Sequence, residues 1–164
     1  MNEATETAED LLYREARYLD ERRWDEWLGL YHADAEYWIP AWKSEDEPTA
    51  DPTTEISLIY TSARSELEDR VFRVRSGRSI ASVPLPRTAH IVTNVLARPD
   101  ASGAIQASSI WTTHVFNVKR REEHLFFSRC EHVLVRVGAD WRIRRRKAIL
   151  LNDTLPTMLD FYTI

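Results

Sequence analysis

The sequence predicts an α+β domain in which N-terminal helices pack on one face of a curved, mainly antiparallel sheet. Apolar residues recur at helical spacing over the first part of the chain. After Arg87 the composition turns to Val, Ile, Thr, Phe and Trp, in runs separated by turn signals. The helices come first and the strands follow as a meander, the order expected of helices segregated to one face of a sheet. The 164 residues fit a single domain spanning 1–164.

The first helix begins near Thr7, with Glu9 and Asp10 in its opening turn and Ala8, Leu11, Leu12, Ala16 and Leu19 along one stripe. Trp24, Trp27, Leu28 and Tyr31 are spaced i, i+3, i+4, i+7 and predict a second short helix whose aromatic stripe is core. Glu36–Trp42 is a strand ended by Pro40. Residues 43–55 form an acidic loop with two prolines. Residues 56–61 alternate as a short strand or an extended entry to a helix, and Leu67, Val71 and Val74 mark a third helix from about Ser65 to Arg75, ending near Gly77. Arg78–Arg87, with Pro84-Leu85-Pro86, is an extended linker. Residues 88–98, 104–119, 124–137 and 140–151 are four strands joined by hairpin turns.

Composition excludes several functions. No apolar run approaches the ~20 residues of a membrane helix, and the acidic opening Met1–Glu6 lacks the apolar core of a signal peptide. A single cysteine excludes an internal disulfide framework, and a cytoplasmic setting is expected. Four glycines leave no phosphate-cradling loop. Cys130-Glu131-His132 has the spacing that opens a Rieske site, but such a site needs a second Cys and a second His. Cys130 and His132 share a strand face with Phe126 and Leu134, which predicts a buried thiol and a hydrogen-bonded histidine. None of His32, His90, His114, His124 and His132 pair at i, i+4 on a helix. His114 shares a face with Ile110, Phe116 and Val118, which suits a core or subunit-contact histidine. Asn152-Asp153-Thr154 fits a glycosylation sequon by chance.

Charge is segregated. Residues 1–55 carry sixteen acidic and five basic side chains; residues 119–147 carry four and ten. Period-two alternation puts Arg142, Arg144 and Arg146 on one strand face. The chain as a whole is acidic, at −4, which disfavours nucleic acid and favours a solvated face or a face meeting an acidic partner. A helix-packed sheet of this kind can also enclose an acid–base pocket, for which Asp34, Tyr37, Tyr60 and His90 are the candidates. That reading gives a stand-alone isomerase or dehydratase; a third reading is a module that binds a small ligand without chemistry.

Several stretches together resemble the small (β) subunit of aromatic-ring-hydroxylating dioxygenases. They are Leu12-Tyr13-Arg14-Glu15-Ala16-Arg17 with Leu19-Asp20, Trp24-Asp25-Glu26-Trp27-Leu28 and Tyr37-Trp38-Ile39-Pro40-Ala41-Trp42. Glu55-Ile56-Ser57-Leu58-Ile59-Tyr60, Leu67-Glu68-Asp69-Arg70-Val71-Phe72-Arg73, Pro86-Arg87-Thr88 and Leu151-Asn152-Asp153 complete the set. The resemblance is strongest over residues 11–90 and nearest the benzoate/anthranilate branch, whose enzymes cis-dihydroxylate an aromatic carboxylate. It implies a nuclear-transport-factor-like (cystatin-like) cone. It further implies an α3β3 assembly with large (alpha) subunits and sibling beta subunits. The large subunit would hold the Rieske [2Fe-2S] cluster and a mononuclear Fe(II), with electrons from NAD(P)H through a reductase. This chain would hold no metal, cofactor or catalytic residue and would be structural. Trp42, Arg87, Arg142, Arg144, Arg146, Asn152 and Asp153 are then the candidate subunit contacts, Trp and Arg being enriched at interface hot spots.

Overall fold

The computed structural model describes residues 2–78, 83–153 and 159–164. Residues 79–82 of the expected linker and Thr154 of the sequon lie outside them. Three helices, α1 (Glu3–Asp20), α2 (Trp24–Gly29) and α3 (Arg64–Arg75), accompany six strands. These are β1 (Tyr31–Pro40), β2 (Ser57–Thr61), β3 (Arg87–Pro99), β4 (Ile105–Asn117), β5 (Glu122–Val137) and β6 (Asp140–Leu150), followed by a 3-10 turn at Phe161–Thr163. The strands form one sheet in the order β2-β1-β6-β5-β4-β3. Among the described residues only the β1–β6 pair is parallel. Helices packed on a curved mixed sheet are the α+β cone that the sequence predicts.

Helix α1 starts earlier than the stripe suggests. The Asn2 side chain accepts from the Thr5 N–H at 2.8 Å and so caps the helix, with Glu3 and Glu6 in the first turn. The extra turn is anchored on the sheet, where the Thr5 hydroxyl donates to the Ala97 carbonyl at 3.3 Å. Helix α2 ends sooner than expected, because Tyr31 pairs with Ile143 and belongs to β1. The Ile143 N–H donating to the Leu30 carbonyl at 2.8 Å draws the chain out of the helix. Trp24 and Trp27 are buried, as the stripe requires.

Two hairpins turn at glycines with positive φ, Gly103 at 85° and Gly138 at 64°. The core-facing residues of β5 run Phe126, Ser128, Cys130, His132, Leu134, all buried. On β6 the expected alternation fails. Leu134 pairs with Ile143 but Val133 pairs with Arg145, so Arg144 is the extra residue of a bulge. The bulge shifts the phase by one residue, and a shift of one moves every later side chain to the other face. Ile143, Arg146, Ala148 and Leu150 therefore face the core, all buried.

Candidate functional site

The bulge corrects the sequence reading of the basic strand: Arg142, Arg144 and Arg146 do not share a face. Arg142 is partly exposed and pairs with Asp140 at 3.2 Å. Arg144 reaches back to the Asp34 carbonyl. Arg146 is 1% exposed and enters the interior of the cone.

There it meets a carboxylate from α1. Glu15 occupies the apolar stripe of that helix, between Leu12 and Leu19, and is fully buried. Its Oε1 lies 3.3 Å from Arg146 Nε and also accepts from the Tyr31 hydroxyl. Its Oε2 lies 3.2 Å from His132 Nε2. Arg146 Nη1 donates to the Tyr37 hydroxyl at 2.9 Å and Nη2 to the main-chain oxygen of Ile164 at 3.0 Å. The guanidinium also sits over the Trp111 ring, 4.8 Å from its centroid.

The electrostatics follow from burial and pairing. Burial pushes the Glu15 carboxyl up, but the Arg146 guanidinium and the His132 and Tyr31 hydrogen bonds outweigh it, so the group lies below its ordinary range. Burial holds His132 below its ordinary value despite the neighbouring carboxylate, and Arg146 adds to the depression. At neutral pH the cluster is thus an ionised Glu15–Arg146 pair with a neutral His132. Its Nε2–H donates to Glu15, which leaves Nδ1 with no hydrogen-bond partner among the described residues. Burial raises the Tyr37 hydroxyl to about 12 and pushes the Cys130 thiol up as well.

The sequence-derived acid–base set does not assemble. Asp34 is exposed on β1. Tyr37 points inward to Arg146, whereas Tyr60 stands on the opposite face beside Trp38 and donates to Glu36 at 3.2 Å. His90 pairs instead with Asp20 at the end of α1: Nδ1 lies 2.6 Å from Oδ1, and the backbone N–H donates to Oδ2 at 2.9 Å. Sequence reasoning missed Glu15 and Asp20. The available signal for Glu15 was a carboxylate inside a helical apolar stripe, a position that demands a buried partner.

Cys130 and His132 fall as expected, both 1% exposed, with Cys130 Sγ 3.4 Å from Ser128 Oγ and His132 hydrogen-bonded. They do not fit an iron–sulfur cluster. The donor set is short by one Cys, and His132 is already committed to Glu15. Among the described residues no group of three or more His, Cys, Asp and Glu converges on a point that could hold a metal ion. No helix among them is long and apolar enough to cross a membrane. His114 lies on the outer face and is exposed, so it is not a core histidine.

The remaining surface candidates divide between the two ends of the sheet. Trp42 Nε1 donates to the Leu150 carbonyl at 2.7 Å, and Trp42, Leu151 and Asp153 line one shallow groove of ≈ 470 Å³. Asn152 clamps the end of β6 to β5, accepting from the Phe127 N–H at 3.0 Å and donating to the Leu125 carbonyl. Arg87 stacks over Phe116, which pairs with Glu123 near the start of β5, so it belongs to this same end. Arg142 and Arg144 lie toward the other end, Arg142 in register with Val135.

Residues 14–157 match the profile of the ring hydroxylating beta subunit family. The chain belongs to this family. It is 38% identical to the toluate 1,2-dioxygenase subunit beta of Pseudomonas putida, over 97% of each chain. It is 40% identical to the anthranilate 1,2-dioxygenase small subunit of Acinetobacter baylyi, over 93% of each. The crystal structure of the benzoate 1,2-dioxygenase beta subunit of Burkholderia mallei superposes with a TM-score of 0.78 at 34% identity, covering 96% of this chain and 95% of that one. A scytalone dehydratase-like protein of Novosphingobium aromaticivorans shares the fold alone, with a TM-score of 0.67 at 14% identity, covering 88% and 82%. The chain is the small subunit of an aromatic-ring-hydroxylating dioxygenase. In this β subunit Glu15, His132 and Arg146 are committed to one another inside the cone.

Proposed function

We propose that this β subunit is a structural, non-catalytic component of a cytoplasmic dioxygenase that cis-dihydroxylates an aromatic carboxylate such as benzoate or anthranilate. It assembles with a large subunit as α3β3. That large subunit supplies the Rieske [2Fe-2S] cluster and the mononuclear Fe(II), and a reductase delivers electrons from NAD(P)H. The support is twofold. Relatives matched over nearly their full length are small subunits of dioxygenases acting on aromatic acids. Within this chain, the single observation that carries the reading is the commitment of Glu15, His132 and Arg146 to one another in the cone interior.

The outer sheet face offers what a supporting subunit needs. Ile91, Leu96, Leu125 and Phe127 stand exposed on β3 and β5, Leu96 at 72%. Exposed apolar groups of this size among charged neighbours mark protein contacts. Trp42, Arg87, Asn152 and Asp153 at one end of the sheet, and Arg142 and Arg144 at the other, complete the proposed contacts with the large and sibling subunits. Arg146 is not among them, because its side chain is enclosed. Co-expression with the large subunit, followed by affinity capture and sizing, tests the assembly. Co-elution in a particle containing three copies of each chain is expected. Separate elution of the two chains would overturn it.

A further inference from the structure

The two flanks of the sheet carry opposite charge. At one flank β2 is an edge strand, paired only with β1 among the described residues. Ile56, just ahead of it, is 76% exposed, more than any other large apolar side chain among the described residues. The β1–β2 loop, residues 43–55, carries five acidic side chains and one basic one. Lys43 is taken by Glu47 at 3.0 Å. Glu45 and Asp46 are exposed and have no ion-pair partner among the described residues. The loop is held by its own backbone, Glu55 accepting from the Ala50 and Asp51 N–H groups at 2.7 and 2.9 Å. Toward the other flank, the β4–β5 turn (residues 118–121) presents Lys119, Arg120 and Arg121, all exposed and equally without an ion-pair partner. Asn117 fixes this turn, its side-chain oxygen accepting from the Lys119 and Arg120 N–H groups at 3.1 and 3.0 Å. With Arg87 on Phe116 beside it and Glu122 and Glu123 at the start of β5, the turn region has four basic against two acidic side chains. Both features lie at the same end of the sheet. Trp42 meets the Leu150 carbonyl at the end of β6, and Ser128 of β5 pairs with Leu150 before residues 122–127 run on to the turn.

We propose that the β1–β2 flank of one copy of this chain docks on the β4–β5 turn of a second copy, with Glu45 and Asp46 facing Lys119 and Arg120 and Ile56 covered by the contact. Charge names the occupant. Each flank holds exposed charges that nothing in its own chain neutralises, and the opposite charges stand on the other flank of the same chain. Both segments are fixed by their own hydrogen bonds before they meet, so little ordering entropy opposes the contact. Two different patches meet, so the contact is heterologous and repeats head to tail, either closing as a ring or running on as a filament. A ring is the form compatible with three copies of the chain. The inference rests on the proposed assembly and locates within it the contact between sibling subunits.

Sedimentation velocity of the full-length chain tests it, with three charge-reversed versions. Glu45→Lys with Asp46→Lys reverses the loop, Lys119→Glu with Arg120→Glu reverses the turn, and the third version carries all four substitutions. All four positions are exposed, and circular dichroism checks that each version folds. The unaltered chain self-associates at low ionic strength, and about 0.5 M salt weakens that association by about tenfold or more. Reversing either flank alone weakens it by a similar factor, because like charges then face each other. Reversing both restores the association to within about threefold of the unaltered chain, since the attraction returns with its signs exchanged. An unaltered chain that stays monomeric at low ionic strength overturns the proposal. So does a four-substitution version no better than the one-flank versions. Reversals that spare self-association but weaken capture by the large subunit also overturn it, and assign the flanks to that partner. Normal co-elution with the large subunit beside any of these failures leaves the assembly standing without this contact. The expected pattern without co-elution leaves the contact standing without the assembly.

Discussion

Inside the cone Arg146 meets Glu15 with neither side chain open to water, at 1% and 0% exposure; on the outer face Arg145 meets Glu36 at 2.8 Å with 39% and 26% exposed. The two arginines are adjacent in sequence, so strand alternation sends them to opposite sides of the sheet, and the bulge at Arg144 makes Arg146 the inward one. The inner pair is buried, and His132, Tyr31 and Tyr37 hydrogen-bond to it. In the outer pair Arg145 lies over the Trp38 ring, 5.8 Å from its centroid. The same chemistry thus serves internal cohesion on one side and lies on the face proposed for subunit contact on the other.

Arg146→Met breaks the comparison most strongly. It leaves Glu15 buried without its cation, and a loss of about 3–5 kcal/mol is expected, read as a Tm fall of roughly 10 °C. Adding Glu15→Leu to that variant restores most of the loss, because an apolar pair replaces a buried charge. A double variant no better than Arg146→Met would show that the pair is not the unit of stability here.

Phe127→Lys, on the outer face, tests the other side. The melting of the isolated chain stays within about 0.5 kcal/mol of the unaltered protein. Capture by the large subunit weakens by about tenfold or more, as at an interface hot spot. Equal loss of both would place Phe127 in the chain's own core rather than at a contact.

The cluster also sets an acid response. The folded-state value of His132 lies below the unfolded one, near 6.5, so the unfolded chain binds the extra proton. Stability is therefore complete above that value and declines as pH falls through it. Glu15, also depressed, adds a second loss as pH falls below about 4.5. His132→Gln keeps a donor for Glu15 and removes the first loss, so its Tm changes less between pH 7 and 5 than that of the unaltered chain. Parallel curves for the two proteins would remove His132 from the account. The smallest effect is that of Arg145→Met, below about 1 kcal/mol, since a half-exposed pair contributes little.

The elements were legible because helical and strand periodicities state which faces are apolar, as with Leu11, Leu12, Ala16 and Leu19 on α1 and the alternating run from Phe126 to Leu134 on β5. The phase of β6 was not legible. A bulge is set by pairing with β5, and Arg142-Ile143-Arg144-Arg145-Arg146 gives no local sign of where the extra residue falls. Asn2 as the α1 cap was hidden for a similar reason: docking of Thr5 on Ala97 supports the added turn. For the site, the burial of Cys130 and His132 could be read from strand alternation, whereas their partner Glu15 comes from 117 residues away along the chain from His132. Asp34 and His90 are kept apart by tertiary pairing with Arg144 and Asp20, which residue types alone do not announce.

This β subunit is proposed to support a redox centre borne by another chain. The most direct measurement is iron content together with oxygen uptake on benzoate and anthranilate, for the isolated chain, the large subunit and their complex, each supplied with NADH and the reductase. The account predicts no stoichiometric iron and no uptake for the isolated chain, and full uptake for the complex. Stoichiometric iron in the isolated chain, or substrate-dependent oxygen uptake by it alone, would contradict the account.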